Sequence, residues 1–275
     1  MDNRESIVVV TGASSGIGNA CATLLAKKGN KVYGTCRNPA SFIRKADEFF
    51  EMLPMELTDD ASVQKAAERV FAQEGKVDAL ICCAGSGLVG SIEDSSLEDA
   101  QAIMDVNFFG ALRTVKAFLP RMRKARKGRI VVVGGLEGLV ATPFQGFYSA
   151  AQFALEGMVQ ALRLEIAEFG IEASFFALGS FRTNFGHSRK QSVLDPDSSP
   201  YKPRLDSILG MLSRNESEGA DPLLAARAIY SALTAKRISS RKTAGPIGRR
   251  ILTIVSRHLP DLMRENFLRQ YYRFK

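Results

Sequence analysis

The octapeptide TGASSGIG (Thr11–Gly18) follows a β-branched run, IVVV, and precedes a helical pattern. Glycines at such a junction let the chain turn tightly and approach a pyrophosphate, while the next helix offers free N–H groups and a positive dipole end. The residues expected to bind a cofactor at this turn are Gly12, Ser14, Ser15, Gly16, Ile17 and Gly18. A tight turn without a ligand is the alternative, and its place at the first strand–helix junction argues against it. A second stretch, YSAAQ, sets Tyr148 and Gln152 four residues apart. On a helix they share one face. A phenol ordinarily titrates near ~10, so proton transfer at neutral pH needs its pKa lowered. Gln152 is neutral. It can hydrogen-bond a ribose but cannot lower the phenol's pKa by charge.

The elements that must position these residues are legible in the hydrophobic pattern. IVVVTG, KVYGTC, VDALICCAG, GRIVVVGG and IEASFFALG read as strands. NACATLLAKKG, ASVQKAAERVFAQEG, LEDAQAIMDVNFFGALRTVKAFLPRMRK and YSAAQFALEGMVQALRLEIAEFG read as helices. Alternating strands and helices predict an α/β protein with a Rossmann-type doubly wound parallel sheet. From Ser188 to Pro222 the pattern breaks, and Asp195, Pro196, Asp197, Ser198, Ser199, Pro200 and Pro203 crowd together. That composition predicts a mobile loop or lid, followed by a helix near Pro222–Lys236. The expected organisation is a single domain: residues 1–190 form the core, 191–235 a substrate lid and helix, and 236–275 a basic C-terminal tail.

Hydrophobic residues make up 45% of the 275, an ordinary share for a globular protein. No apolar run is long enough to span a bilayer. The start, MDNRES, lacks the pattern of a secretory signal. Cys21, Cys36, Cys82 and Cys83 have no metal-ligand spacing, so a reduced cytoplasmic protein without a metal is expected. Adjacent Cys82 and Cys83 should point to opposite faces of one strand. The net charge of +8 is uneven: Lys236–Lys275 holds eleven Lys/Arg against Asp261 and Glu265, so the tail carries +9 and the remainder −1. No stacking aromatics or reader motif accompany that charge, so no nucleic-acid partner is expected. The tail reads either as a basic amphipathic helix on a membrane surface or as a segment packed over the substrate cleft or a subunit neighbour. Pro260 interrupts any single long helix and favours the second reading.

Thr11, Gly12, Gly16 and Gly18 fit TGxxxGxG, and over about residues 5–190 the chain resembles the short-chain dehydrogenase/reductase family. VYGTCRNPASF, LPRMRK, FALEGMVQALRLEIAEFGI and FRTNF are similar to the branch containing hydroxysteroid and retinol dehydrogenases. The resemblance implies a nicotinamide cofactor and a serine, tyrosine and lysine that reduce carbonyls with help from an asparagine. Tyr148 matches the tyrosine and Asn107 the asparagine, but the serine position is Gly135 and the lysine position Gln152. The family's Asn-Asn-Ala-Gly has become Cys82-Cys83-Ala84-Gly85, and Thr183 stands where the carboxamide of the nicotinamide is contacted. Glu56, followed by Leu57, replaces the aspartate that faces the adenine. The second strand ends in Thr35, Cys36 and Arg37 without a carboxylate, and an arginine there fits a 2′-phosphate, so NADP(H) is expected.

With two positions changed, ordinary ketone reduction by the family's route is not expected: loss of one preorganised donor costs roughly 10²–10³ in rate. Three functions fit. The first is reduction of an activated C=N (iminium) or conjugated C=C bond in a small hydrophobic molecule. The second is non-redox cyclisation or isomerisation in the same pocket. The third is a catalytically silent cofactor or ligand binder. Glu137, two residues past Gly135, serves the first two, since a carboxylate there can stabilise a cation or act as a base; a solvent-facing loop acid is its other reading. Phe144, Phe147, Phe153, Phe181 and Phe185 are candidates for an apolar pocket, and His187 reads as structural or exposed. The resemblance also implies a homo-oligomer.

Overall fold

The computed structural model of the protein describes residues 6–46, 48–193, 198–272 and 274. In chain order its strands are β1 (Ile7–Thr11), β2 (Lys31–Cys36), β3 (Glu51–Pro54), β4 (Ala79–Cys82), β5 (Leu88–Val89), β6 (Gly128–Gly135), β7 (Ile171–Leu178), β8 (Lys190–Gln191) and β9 (Arg241–Ala244). The helices are α1 (Gly16–Lys27), α2 (Asp60–Glu74), α3 (Leu97–Met104), α4 (Gly110–Ala125), α5 (Gly146–Glu165), α6 (Lys202–Ser217), α7 (Pro222–Thr234), α8 (Ile247–His258) and α9 (Asp261–Tyr271). Seven strands form one parallel sheet in the order β3-β2-β1-β4-β6-β7-β9. The order reverses between β1 and β4, and ligand crevices of open α/β sheets lie at such a switch point.

The strands are apolar on both faces because helices cover both. Ile7 and Val9 of β1, Leu80 and Cys82 of β4, and Ile130 and Val132 of β6 face α2, α4 and α5. Val8, Val10, Ile81 and Val131 face α1 and α7. Cys82 belongs to the first layer and Cys83 packs on the second, as the period of two requires. Three features differ from the sequence expectations. The short β3 lies where the hydrophobic pattern is too brief to announce a strand, and β5 and β8 make a separate two-stranded ribbon. The stretch expected to be a loop contains the sixteen-residue helix α6, started by Pro203 near its N-terminus. Asp195, Pro196 and Asp197 lie outside the described residues.

The basic tail is not an appendage. Its Arg241–Ala244 segment is the seventh strand of the main sheet. Pro260 does divide the rest, ending α8 at His258 and allowing α9 from Asp261. No helix among the described residues is long and apolar enough to cross a membrane.

Candidate active site

A cavity of about 540 Å³ runs from the β1–α1 turn across the ends of β4, β6 and β7 to α6 and α8. At its end by the β1–α1 turn, Gly12 adopts φ +69°, the left-handed region that favours glycine. A Cβ on Gly18 would lie 2.3 Å from the Gly12 carbonyl oxygen, so the first turn of α1 closes onto the loop only with glycine. Ser15 is the N-cap residue of α1, yet its side chain makes no capping bond. The helix N–H groups are therefore left facing the cavity, which Ser14, Ser15, Gly16 and Ile17 line. Thr11 Oγ1 accepts hydrogen bonds from Cys83 N (3.0 Å) and Ala84 N (3.1 Å), tying β1 to the loop after β4. That bridge stands where the sequence lacks an asparagine.

Arg37 is exposed and lines the cavity beyond β2. The Glu56 carboxylate accepts from Thr58 N (3.2 Å) and Thr58 Oγ1 (3.0 Å), closing its own turn at the cavity edge. Leu57 is buried, while Ala84 and Gly85 line the cavity floor. Thr183 sits against Gly16 and accepts from Phe185 N (3.3 Å), so its hydroxyl caps a local turn.

At the other end, α5 presents Tyr148 and Gln152 from one buried face. Gln152 Oε1 accepts from Gly135 N (2.9 Å), which holds the end of β6 against α5. This assigns one polar end of Gln152 to the backbone and away from any ribose. A Cβ on Gly134 would meet Gln152 Oε1 at 2.5 Å and the Phe175 ring at 2.6 Å. Gly134 is thus required by this glutamine together with Phe175. A Cβ at position 135 would lie 2.3 Å from Glu137 Oε2 and 3.0 Å from the Tyr148 hydroxyl. The Glu137 carboxylate therefore fills the space that a side chain at 135 would take, beside the phenol. It is not a solvent-facing acid: its side chain is 14% exposed, with Arg249 Nη2 at 3.9 Å.

Burial pushes the Tyr148 phenol well above its ordinary pKa, the Glu137 charge adds to that shift, and Arg189 opposes it. The phenol stays protonated at neutral pH. Asn107 is buried in a π-helical turn between α3 and α4. Its Nδ2 donates to Ser86 O (2.9 Å) and its Oδ1 accepts from Ser86 N (2.8 Å), so it fixes the loop after β4.

Several residues at this end have no sequence motif. Arg189 precedes β8, its side chain is 7% exposed, and it pairs with Glu216 of α6. Arg249 of α8 donates to Ser180 Oγ. Both arginines and Glu216 line the cavity. Of the phenylalanines, Phe185 lines it 6.1 Å from the Tyr148 ring, and Phe181 lines it from the core. Phe153 points outward at 43% exposure, because it follows Gln152 onto the opposite side of α5. Phe144 and Phe147 lie in adjoining apolar clusters, and His187 is exposed.

Residues 6–193 match the family model described as short chain dehydrogenase. The chain is 35% identical over 269 residues to a 3-ketodihydrosphingosine reductase of Bacteroides thetaiotaomicron, covering 98% of each chain. It is 36% identical over 193 residues to the human 17-beta-hydroxysteroid dehydrogenase type 1, covering 66% of this chain and 58% of that protein. A short-chain dehydrogenase structure from Streptomyces avermitilis superposes with a TM-score of 0.84 at 29% identity, over 98% of each chain. The chain belongs to the short-chain dehydrogenase family.

Proposed function

We propose that the protein is an NADP(H)-dependent reductase of an activated C=N bond, or of a conjugated C=C bond, in a small apolar molecule. NADP(H), when bound, supplies the hydride. The glycine turn, the open N-terminus of α1 and the exposed Arg37 fit a phosphorylated dinucleotide, because they offer donors and positive charge with no carboxylate at the end of β2. The observation that carries the acceptor assignment is the Glu137 carboxylate beside Tyr148, in the volume of a position-135 side chain. A carbonyl gains negative charge as it is reduced, and an anion there opposes that. An iminium carbon starts cationic, is stabilised by the same anion and needs no acid to activate it. Tyr148, held protonated, orients the substrate or protonates carbon in the C=C case. Asn107 acts through the Ser86 loop as a positioning residue.

A second reading is favoured by the Bacteroides relative, whose name denotes a ketone reductase. On that reading the substrate is a ketone beside an ammonium, and Glu137 holds the ammonium.

The test is NADPH oxidation with a cyclic iminium salt, a conjugated enal, an α-amino ketone and a plain ketone, alongside NADPH and NADH titrations. The expected result is turnover of the iminium salt, tighter NADPH than NADH binding, and about a 10²-fold fall in kcat/KM in Glu137→Gln with unchanged NADPH affinity. Turnover of the plain ketone at a rate insensitive to Glu137→Gln would sink the assignment.

A further inference from the structure

Helix α8 is built inside out. Its outward side carries Ile247, Ile251, Ile254 and Val255, at 72%, 55%, 43% and 50% exposure. Its inward side carries the polar groups. Ser256 is buried and donates to Leu252 O (2.7 Å), and Arg249 reaches Ser180. Arg257 Nη1 donates to Glu156 Oε1 (3.1 Å) on α5, and Arg250 Nε to Thr243 Oγ1 (3.1 Å) on β9. The exposed residues recur at i, i+4, i+7 and i+8, which is one helical stripe. Leu262 and Met263, at the start of α9, are also exposed, at 77% and 58%. A helix that faces water along its apolar stripe leaves that burial to something outside the chain.

We propose that this face docks on an anionic lipid surface. Charge selects the occupant. Residues 236–275 hold eleven Lys/Arg and two acids. Glu156 neutralises part of that charge through Arg241 and Arg257, while Lys236 and Arg237 remain exposed beside β9. A second copy meeting this face about a twofold axis would bring two such cationic tails together, whereas acidic headgroups complement them. The depth also fits: side chains of a twelve-residue helix lying flat reach only the headgroup–acyl boundary. Arg249 lines the reaction cavity from the inner side of the same helix, so docking sets the cavity beside the bilayer, where apolar substrates concentrate.

The chain has no tryptophan, so Ile251→Trp in the full-length protein gives a single reporter. Its emission should shift blue on adding vesicles of phosphatidylcholine mixed with phosphatidylglycerol. Binding should be about tenfold weaker to phosphatidylcholine alone and should weaken as salt rises. Flotation of the unmodified protein should agree, and Ile251→Glu with Val255→Glu should abolish flotation while leaving NADPH binding and the melting temperature unchanged. Absence of both the shift and flotation would overturn the proposal. So would a concentration-dependent dimer that the glutamate pair dissociates, since a second copy would then cover the face. If the glutamate pair unfolds the protein, the Ile251→Trp spectrum decides alone.

Discussion

At the scale of single residues, positions 135, 137 and 152 form one steric unit. Gln152 holds Gly135 N, its oxygen leaves no room for a Cβ at 134, and Glu137 fills the volume beside 135. Under the proposed chemistry this unit explains why restoring the family's serine and lysine alone will fail. In Gly135→Ser with Gln152→Lys, the new Cβ meets the Glu137 carboxylate, and Gly135 N loses its acceptor, costing about 1–3 kcal/mol. Adding Glu137→Gly removes both the clash and the anion. The triple variant should then reduce a plain ketone at least about tenfold faster than the double variant, measured by NADPH oxidation. Equal rates would mean that the substrate end itself has diverged. The sequence revealed Gly135, Gln152 and Tyr148 because their spacing along β6 and α5 is fixed. It gave Glu137 two readings, since a loop acid's direction depends on backbone torsions that spacing does not encode. Arg189, Glu216 and Arg249 stayed hidden because only tertiary contact brings them to the cavity.

At the scale of elements, two charge clusters tie helices to strands on the two sides of the sheet. On α5, buried Glu156 binds Arg241 of β9 and Arg257 of α8, so one carboxylate holds the last strand and the inside-out helix. Glu156→Ala should cost about 2 kcal/mol, less than the ~3–5 for breaking a fully buried pair, because both arginines stay about a third exposed. Thermal melting should show a drop of about 5 °C; no drop would mean that α8 is held by other contacts. At the opposite side, Tyr33 of β2 donates to Glu74 of α2, which Lys31 also pairs. Burial and that carboxylate push the Tyr33 phenol up to about 12. The raised pKa stabilises the fold fully below the unfolded value of ~10, and that stability is lost as pH climbs towards 12. Tyr33→Phe should flatten the alkaline loss of melting temperature between those pH values, and an unchanged slope would place it elsewhere. The regular elements were legible because their periods of 2 and 3.6 are local. Strand β9 was not, since RKTA has no strand pattern and pairs only because β7 offers a free edge.

Across the whole molecule, Tyr272 and Phe274 pack behind one wall of the cavity that the β1–α1 turn opens. Phe144, at φ +60°, stacks with Phe274 at 6.3 Å and meets Tyr201 edge-on at 6.3 Å. A bulky residue held in the left-handed region needs surrounding contacts to keep it there. Tyr272 packs against the cluster of Val89, Leu205, Ile208 and Leu212, and Leu212 in turn lines the cavity, so Tyr272 and Phe274 form an aromatic layer behind that wall. Burial raises the Tyr272 phenol, the Glu137 charge raises it further, and Arg249 opposes the shift. The nucleotide end, at Arg37 and the β1–α1 turn, is lined by other elements. The two ends should therefore respond separately. Tyr272→Ala with Phe274→Ala removes the aromatic layer behind the Leu212 wall alone. KM for the substrate should rise about tenfold, equivalent to ~1.4 kcal/mol of lost binding, while NADPH affinity stays unchanged. Steady-state kinetics beside a fluorescence titration read both quantities from one preparation. A parallel loss of NADPH binding would mean that this layer supports the whole cavity, and an unchanged KM would mean that the wall holds its shape without it.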